Sequence, residues 1–310
     1  MNAVDRYLAY MKFKSIFKKI PVLSSTIRYV KWKWYRPYII KKWTKKREMI
    51  YNKKLLGLIP WSSNEEKLLQ LKGKYNGKIA FIIGNGPSLR MEDLETLKNN
   101  HIFCFASNRI NLVFDKTSWR PDCYMAIDPL IYRDGDPTIP IVLAEKLKYY
   151  IFAEDTYKGI PSNYRSDNVL YFLNQPNSYY VPIHEFSNDS LKYVVGGFTV
   201  TYAALQMAYY MGFSKVYLLG VDCNYSKSLK RNGKVVIDKN NSTTYFDKRY
   251  DPKAKNVGYI DGMLEGYLTA QRFCLSEKEF KIFNASRGDN LKIFPFEKFE
   301  DVIIRNQYTS

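Results

Sequence analysis

The residues best placed to do chemistry are Gly84, Asn85, Gly86, Pro87 and Ser88. They follow five apolar residues, 79–83, and precede a run at helical spacing, 91–97. The apolar run reads as a buried parallel strand, and the two glycines force a sharp turn out of it. A backbone without Cβ atoms can approach a ligand closely, and a helix N-terminus behind it offers free N–H groups to a phosphate. Ser88 is expected to cap that helix, with Glu92 and Asp93 favouring its first turn. A nucleotide or another phosphorylated ligand is the first expectation, set against a purely structural strand-to-helix turn. No Gly-Lys-Ser/Thr follows, so this is not a P-loop. The spacing is not that of a GxGxxG dinucleotide fingerprint either.

The elements that must position this loop can be read around it. Further strand-like runs cover 102–106, 122–127, 149–153, 169–173, 215–222 and 281–284. Helical patterns cover 65–71, 199–211 (introduced by Gly196-Gly197 and closed by Gly212) and 259–273, and a polar loop spans 174–188. Strands alternating with helices predict an α/β fold, a mainly parallel doubly wound, Rossmann-like sheet. Asn85, Asn108, Asp128, Asp222 and Asn284 each stand at or just after the end of such a run. Ligands bind beyond the carboxyl ends of strands in an open parallel sheet, so these polar ends are expected to share one site. Any one of them alone reads equally well as a turn former or helix cap.

The chain has 310 residues, enough to bury a full core. Its charge of +18 is unevenly placed: residues 1–60 hold 16 Lys and Arg against Asp5 and Glu48, a net of +14. The remaining 250 residues carry an ordinary +4. The same segment is rich in Trp and Tyr, with Tyr10, Phe13, Phe17 and Ile20 at helical spacing. Aromatic rings with cations suit an anionic membrane surface. They also suit single-stranded nucleic acid, or helices packed on the main body with a solvated basic face. Domains are expected at 1–60 (basic, aromatic, mostly helical), 61–78 (a linker helix) and 79–310 (the α/β body). The four cysteines form no CxxC pair, so neither a metal cluster nor a disulfide framework is expected. No run of 18 apolar residues and no secretory leader is read, which implies a reduced, cytoplasmic setting.

Taken together, GNGPSL at 84–89, Gly196-Gly197, the Ala-rich stretch 204–212, VYLLGVD at 216–222 and NASRGDNL at 284–291 resemble the 6-hydroxymethylpterin diphosphokinase-like domain family. That family includes the flagellin-modifying motility accessory factors. The GNGPS loop and the VYLLGVD strand end are also similar to the family 42 bacterial sialyltransferases. The resemblance spans about residues 75–305. It implies a nucleotide-activated donor, a CMP-linked sialic-acid-like sugar foremost. Asn85, Gly86, Pro87 and Ser88 would then line the nucleotide phosphate and ribose. Asn108 and Asp128 would contact nucleotide or sugar, Gly197, Thr199 and Thr201 would cradle the leaving group, and Asp222 would close the pocket. The sialyltransferases carry a histidine base after this last strand. Here the histidines are His101 and His184, so Asp247, Tyr250 and Asp261 become the base candidates and Tyr245 a phosphate ligand.

The resulting expectation is a glycosyltransferase modifying a bacterial surface glycan, with a glycan or lipid-linked glycan acceptor. It would sit peripherally at the inner face of the cell membrane, bind no nucleic acid, need no cofactor or metal, and admit a homo-oligomer. The alternative is a diphosphokinase-like ATP-dependent transferase, which would want carboxylates placed for Mg²⁺. A non-enzymatic nucleic-acid-binding module rests on the basic segment alone.

Overall fold

The structure, a computed structural model, describes residues 35–128, 136–176, 182–231, 234–238, 244–251, 256–288 and 291–307. Residues 1–34 of the basic segment, with Tyr10, Phe13, Phe17 and Ile20, lie outside that set.

The chain enters through helices α1 (Arg36–Leu55) and α2 (Ser63–Leu69), then β1 (Ile79–Ile83), α3 (Met91–Asn99) and β2 (Phe103–Ser107). Next come β3 (Cys123–Ala126), α4 (Thr138–Ala144), β4 (Tyr149–Ala153), α5 (Glu154–Gly159) and β5 (Val169–Phe172). Two short strands, β6 (Asn174–Gln175) and β7 (Val194–Val195), precede α6 (Val200–Tyr210) and β8 (Lys215–Leu219). A hairpin of β9 (Lys227–Leu229) and β10 (Val235–Ile237) leads to α7 (Ile260–Ser276), β11 (Lys281–Asn284) and α8 (Phe299–Gln307).

Seven strands form one sheet in the order β11-β8-β1-β2-β3-β4-β5, and every neighbouring pair is parallel. The expected doubly wound α/β architecture is what the chain adopts. Alternation along a strand sends Ala80 and Ile82 to one face and Phe81 and Ile83 to the other. The first pair packs with Ala203, Ala204 and Met207 of α6 and Ala270 of α7. The second packs with Leu94 and Leu97 of α3 and Val302 and Ile303 of α8. Burial on both faces is why these strands read as continuous apolar runs. Small alanines let α6, almost wholly buried, lie close against the sheet.

In the basic segment, α1 is helical as expected, and it packs on the body. Trp43 meets Tyr193 edge-on at 5.6 Å between ring centroids, and Gln175 donates to Thr44 Oγ1 at 3.0 Å. Tyr35, Tyr38, Leu55 and Leu56 stay exposed on it. No helix among the described residues is long and apolar enough to cross a membrane. The helix α2 starts with a capping box between Ser62 and Glu65.

The strand pairs β6–β7 and β9–β10 arise in stretches too short to show a period-2 pattern. Ser88 is not the cap of α3: the N-cap position is Arg90, with no side-chain cap bond. The loop closes first through Leu89 N–H on the Gly86 carbonyl (3.2 Å), so the helix begins later than Ser88 could serve. Gly212 follows α6 at φ +91°, the left-handed C′ position its sequence context predicts.

Candidate functional site

The strand order reverses beside β1: β2 to β5 build outward on one side, β8 and β11 on the other. Backbones diverge at such a switch point and open a crevice at the carboxyl ends. The glycine loop fills this position. Gly84 N–H donates to the Leu219 carbonyl (2.7 Å), and Gly86 N–H donates to that of Gly220 (2.8 Å). A Cβ on Gly84 would run into the Gly220 carbonyl, and one on Gly86 into the Asp222 carboxylate. Close backbone approach therefore dictates both glycines.

Asp222 is 5% exposed, and its Oδ2 accepts the Ser88 N–H at 2.9 Å. Its Oδ1 has no partner. A Cβ on Gly288 would lie 2.6 Å from that oxygen, so the carboxylate is wedged between the 84–88 loop and the turn after β11. That turn is itself anchored. Val221 N–H donates to Ser286 Oγ (3.1 Å), and Arg287 forks onto Asp93 of α3 at 2.7 and 2.9 Å.

The opposite wall comes from residues far apart in sequence. Asn85 donates through Nδ2 to the Ser107 carbonyl (3.1 Å), leaving its buried Oδ1 unpartnered. Asn108 sits at φ +53°, where Tyr124 Oη donates to its carbonyl at 2.9 Å. Thr199 caps α6 by accepting the Thr201 N–H, and Tyr267 of α7 lines the same cavity as both threonines and Cys223. Tyr245 and Tyr250 stack at 3.8 Å and 14°, with Tyr225 edge-on to Tyr245. Phe246 N–H on the Asn85 carbonyl (3.1 Å) ties this tyrosine segment to the glycine loop.

A cavity of about 130 Å³ lies between these walls. Of the residues read from sequence, Asn85, Gly86, Asn108, Thr199, Thr201, Asp222, Tyr245 and Tyr250 line it. Ser107, Cys223, Tyr225, Thr244 and Tyr267 line it too; Ser107 and Cys223 adjoin the ends of strand-like runs, whereas nothing in the local sequence marks Tyr225, Thr244 or Tyr267. Among the described residues no Lys, Arg or His lines the cavity. Burial pushes the Tyr250, Tyr267 and Tyr225 hydroxyls well up and the Cys223 thiol up to about 12. The wall thus presents neutral hydroxyls at physiological pH. An anion here would meet hydroxyls and the start of α6, because the N–H groups of Gly84, Gly86 and Ser88 are bonded within the protein, and it would share the cavity with the Asp222 carboxylate.

The remaining expected residues stand elsewhere. Ser88 reaches the site through its backbone, and Pro87 is exposed. Gly197, at φ +56°, is packed under the Tyr202 ring. Asp128 is exposed and outside the lining. Asn284 is a buried strut, donating to the Leu291 carbonyl and accepting the Ser286 N–H. Asp247 is held by Arg249 and Lys116, which keep its carboxyl well below the usual range. Asp261 pairs with Lys230. Neither carboxylate lines the cavity, because nearby cations bind both outside it. Tyr250 lines it but is a hydrogen-bond donor and poor base. Among the described residues no group of three His, Cys, Asp or Glu side chains could hold a metal ion.

A family model described as 6-hydroxymethylpterin diphosphokinase MptE-like matches residues 53–228, more than half of the chain. No protein of curated function matches. Among solved structures, the MAf glycosyltransferase from Magnetospirillum magneticum AMB-1 is similar at a TM-score of 0.45 and 17% identity. That comparison covers 83% of this chain and 43% of the other, so this chain spans less than half of that protein's length.

Proposed function

We propose that this chain, which belongs to the 6-hydroxymethylpterin diphosphokinase MptE-like family, is a glycosyltransferase that binds a nucleotide-activated sugar between β1 and β8. The donor in this reading is a CMP-linked, sialic-acid-like sugar, and the acceptor is a hydroxyl of a surface glycan. The observation that carries the reading is the cleft at the sheet's switch point. It joins a glycine loop, an unpartnered Asn85 Oδ1, a helix start and a stacked tyrosine wall.

At about 130 Å³ the cavity is smaller than the roughly 300–1,000 Å³ of whole-ligand sites. It therefore takes the phosphate and its neighbouring sugar, and the rest of the donor lies over the mouth. Asn85 Oδ1 would accept from a donor hydroxyl, and Asn108 would touch nucleotide or sugar. Thr199, Thr201, Tyr245 and the start of α6 would hold the phosphate as charge builds on it. The acceptor oxygen bonds to the anomeric carbon as the bond from that carbon to the phosphate oxygen breaks. With Asp247 and Asp261 outside the cleft, the acceptor proton leaves on the departing phosphate.

The family model's description favours a second reading, diphosphate transfer from ATP to a pterin. A thermal-shift screen separates the two, because a ligand that binds the native state raises its melting temperature by mass action. CMP or a CMP-sugar should raise Tm above the effect of UMP, GMP or ATP with Mg²⁺. A shift with ATP and Mg²⁺ alone would replace the glycosyltransferase reading.

The same reading keeps the enzyme at an anionic membrane surface, near a lipid-linked acceptor. Its support is the +14 charge and aromatic content of residues 1–60. Since α1 is docked on the body, residues 1–34, which carry +7 of that charge, are the part assigned to lipid.

A further inference from the structure

The β9–β10 hairpin is tied to the cleft rim without being used by it. Ser226 N–H donates to Thr244 Oγ1 at 3.1 Å, and Thr244 lines the cavity. β9 is the inner strand: Ser228 bridges to Gly258 on one side and pairs with Val236 on the other. β10 is thus the outer edge of this small sheet among the described residues. Its Val235, Val236 and Ile237 are 53%, 46% and 60% exposed. Consecutive exposed aliphatics on an open edge form a template for another strand.

The hydrogen bonds fix which backbone groups that edge offers. Lys230 N–H donates to the Lys234 carbonyl, and Asp238 N–H donates to that of Ser226, each at 2.8 Å. Residues 234, 236 and 238 therefore face β9, and alternation turns the N–H and C=O of Val235 and Ile237 outward. The side chains add a self-complementary order: Lys234, three aliphatics, Asp238.

We infer that β10 pairs with β10 of a second copy of this chain, antiparallel about a two-fold axis at Val236. In that register Val235 lies opposite Ile237 of the partner subunit, and the outward N–H and C=O groups of each meet. Lys234 lies opposite Asp238 of the partner subunit on one face, in a closely spaced pair that suits opposite charges. A shift of the axis to 235 or 237 breaks the match of Lys with Asp. The contact is isologous, as a two-fold interface requires. An edge of this length buries little area, so the dimer is weak and concentration-dependent.

Sedimentation velocity of the full chain over a concentration series tests this. The wild type should show a monomer–dimer equilibrium. Val236→Lys puts like charges together on the axis, and Lys234→Asp sets Asp against Asp; each should weaken the dimer at least ~tenfold. The double variant Lys234→Asp/Asp238→Lys should restore it. All these positions are on an exposed hairpin, and circular dichroism checks that each variant is folded. A monomer at every concentration, a dimer indifferent to Val236→Lys, or a swap that fails to rescue would overturn the proposal. So would a monomer that floats with phosphatidylglycerol vesicles and stops floating in Val236→Lys, which would give the edge to lipid.

Discussion

The carboxylate of Asp222 accepts the backbone N–H of Ser88 at 2.9 Å, joining residues 134 apart in sequence. With the Gly84 and Gly86 N–H bonds to Leu219 and Gly220, this bond pins the glycine loop to the end of β8, and Gly86 and Gly288 make room on either side. Loop shape, not loop composition alone, depends on it. Asp222→Ala should leave the Ser88 N–H without its partner and cost about 1–3 kcal/mol in urea unfolding. Gly86→Ala should destabilise as well, since its Cβ meets the carboxylate. A nucleotide thermal shift that survives Asp222→Ala undiminished would separate the loop's shape from binding.

Asn85 divides its amide between structure and ligand. Its Nδ2 donates to Ser107, while the buried Oδ1 has no partner. Asn85→Ala should weaken nucleotide binding by about 1–3 kcal/mol, read by calorimetry. Asn85→Asp, which replaces the Nδ2 donor with an acceptor facing a carbonyl, should weaken it more.

Arg287 holds the start of α3, the helix behind the loop, through Asp93, whose side chain is 5% exposed. Arg287→Met would leave that acid buried without its cation. The expected loss is on the order of 1–3 kcal/mol, below that of a fully buried pair because the guanidinium is partly solvated. Urea denaturation measures it, and nucleotide affinity should fall with it.

Asp247 gives a pH signature. Arg249 and Lys116 depress its folded pKa, so its stabilising contribution is present above the unfolded carboxylate value of about 4 and is lost as pH falls through the folded one. Asp247→Asn should lower the urea midpoint at neutral pH, and the gap to wild type should close in acid. A gap that widened in acid would contradict this pairing.

Deletion of residues 1–34 should release the protein from anionic vesicles while leaving its nucleotide thermal shift in place. Cutting further, through α1, should reduce stability because Trp43 and Thr44 pack on the body. Equal flotation before and after the first deletion would remove the membrane assignment.

The main-sheet strands were legible along the chain because they are buried on both faces, which leaves runs such as 79–83 and 149–153 without polar interruption. Gly84, Gly86 and Gly212 were legible for a related reason: steric demands at a tight turn admit few residue types. The neighbours of a charged side chain leave no such mark. Asp247 and Asp261 stood at plausible distances in sequence for a base; Arg249 lies two residues from Asp247, but only folding brought Lys116 to Asp247 and Lys230 to Asp261. Tyr267 and Tyr225 reach the cleft from elements whose sequence records a helix and a loop but no destination. The same holds for Asp128, a polar strand end like Asp222, yet exposed where Asp222 is enclosed. Local sequence sets backbone preference and burial pattern, because those act within a few residues. Which polar groups meet depends on strand order and crossing geometry, and the reversal beside β1 that creates the cleft exists only once distant strands have paired.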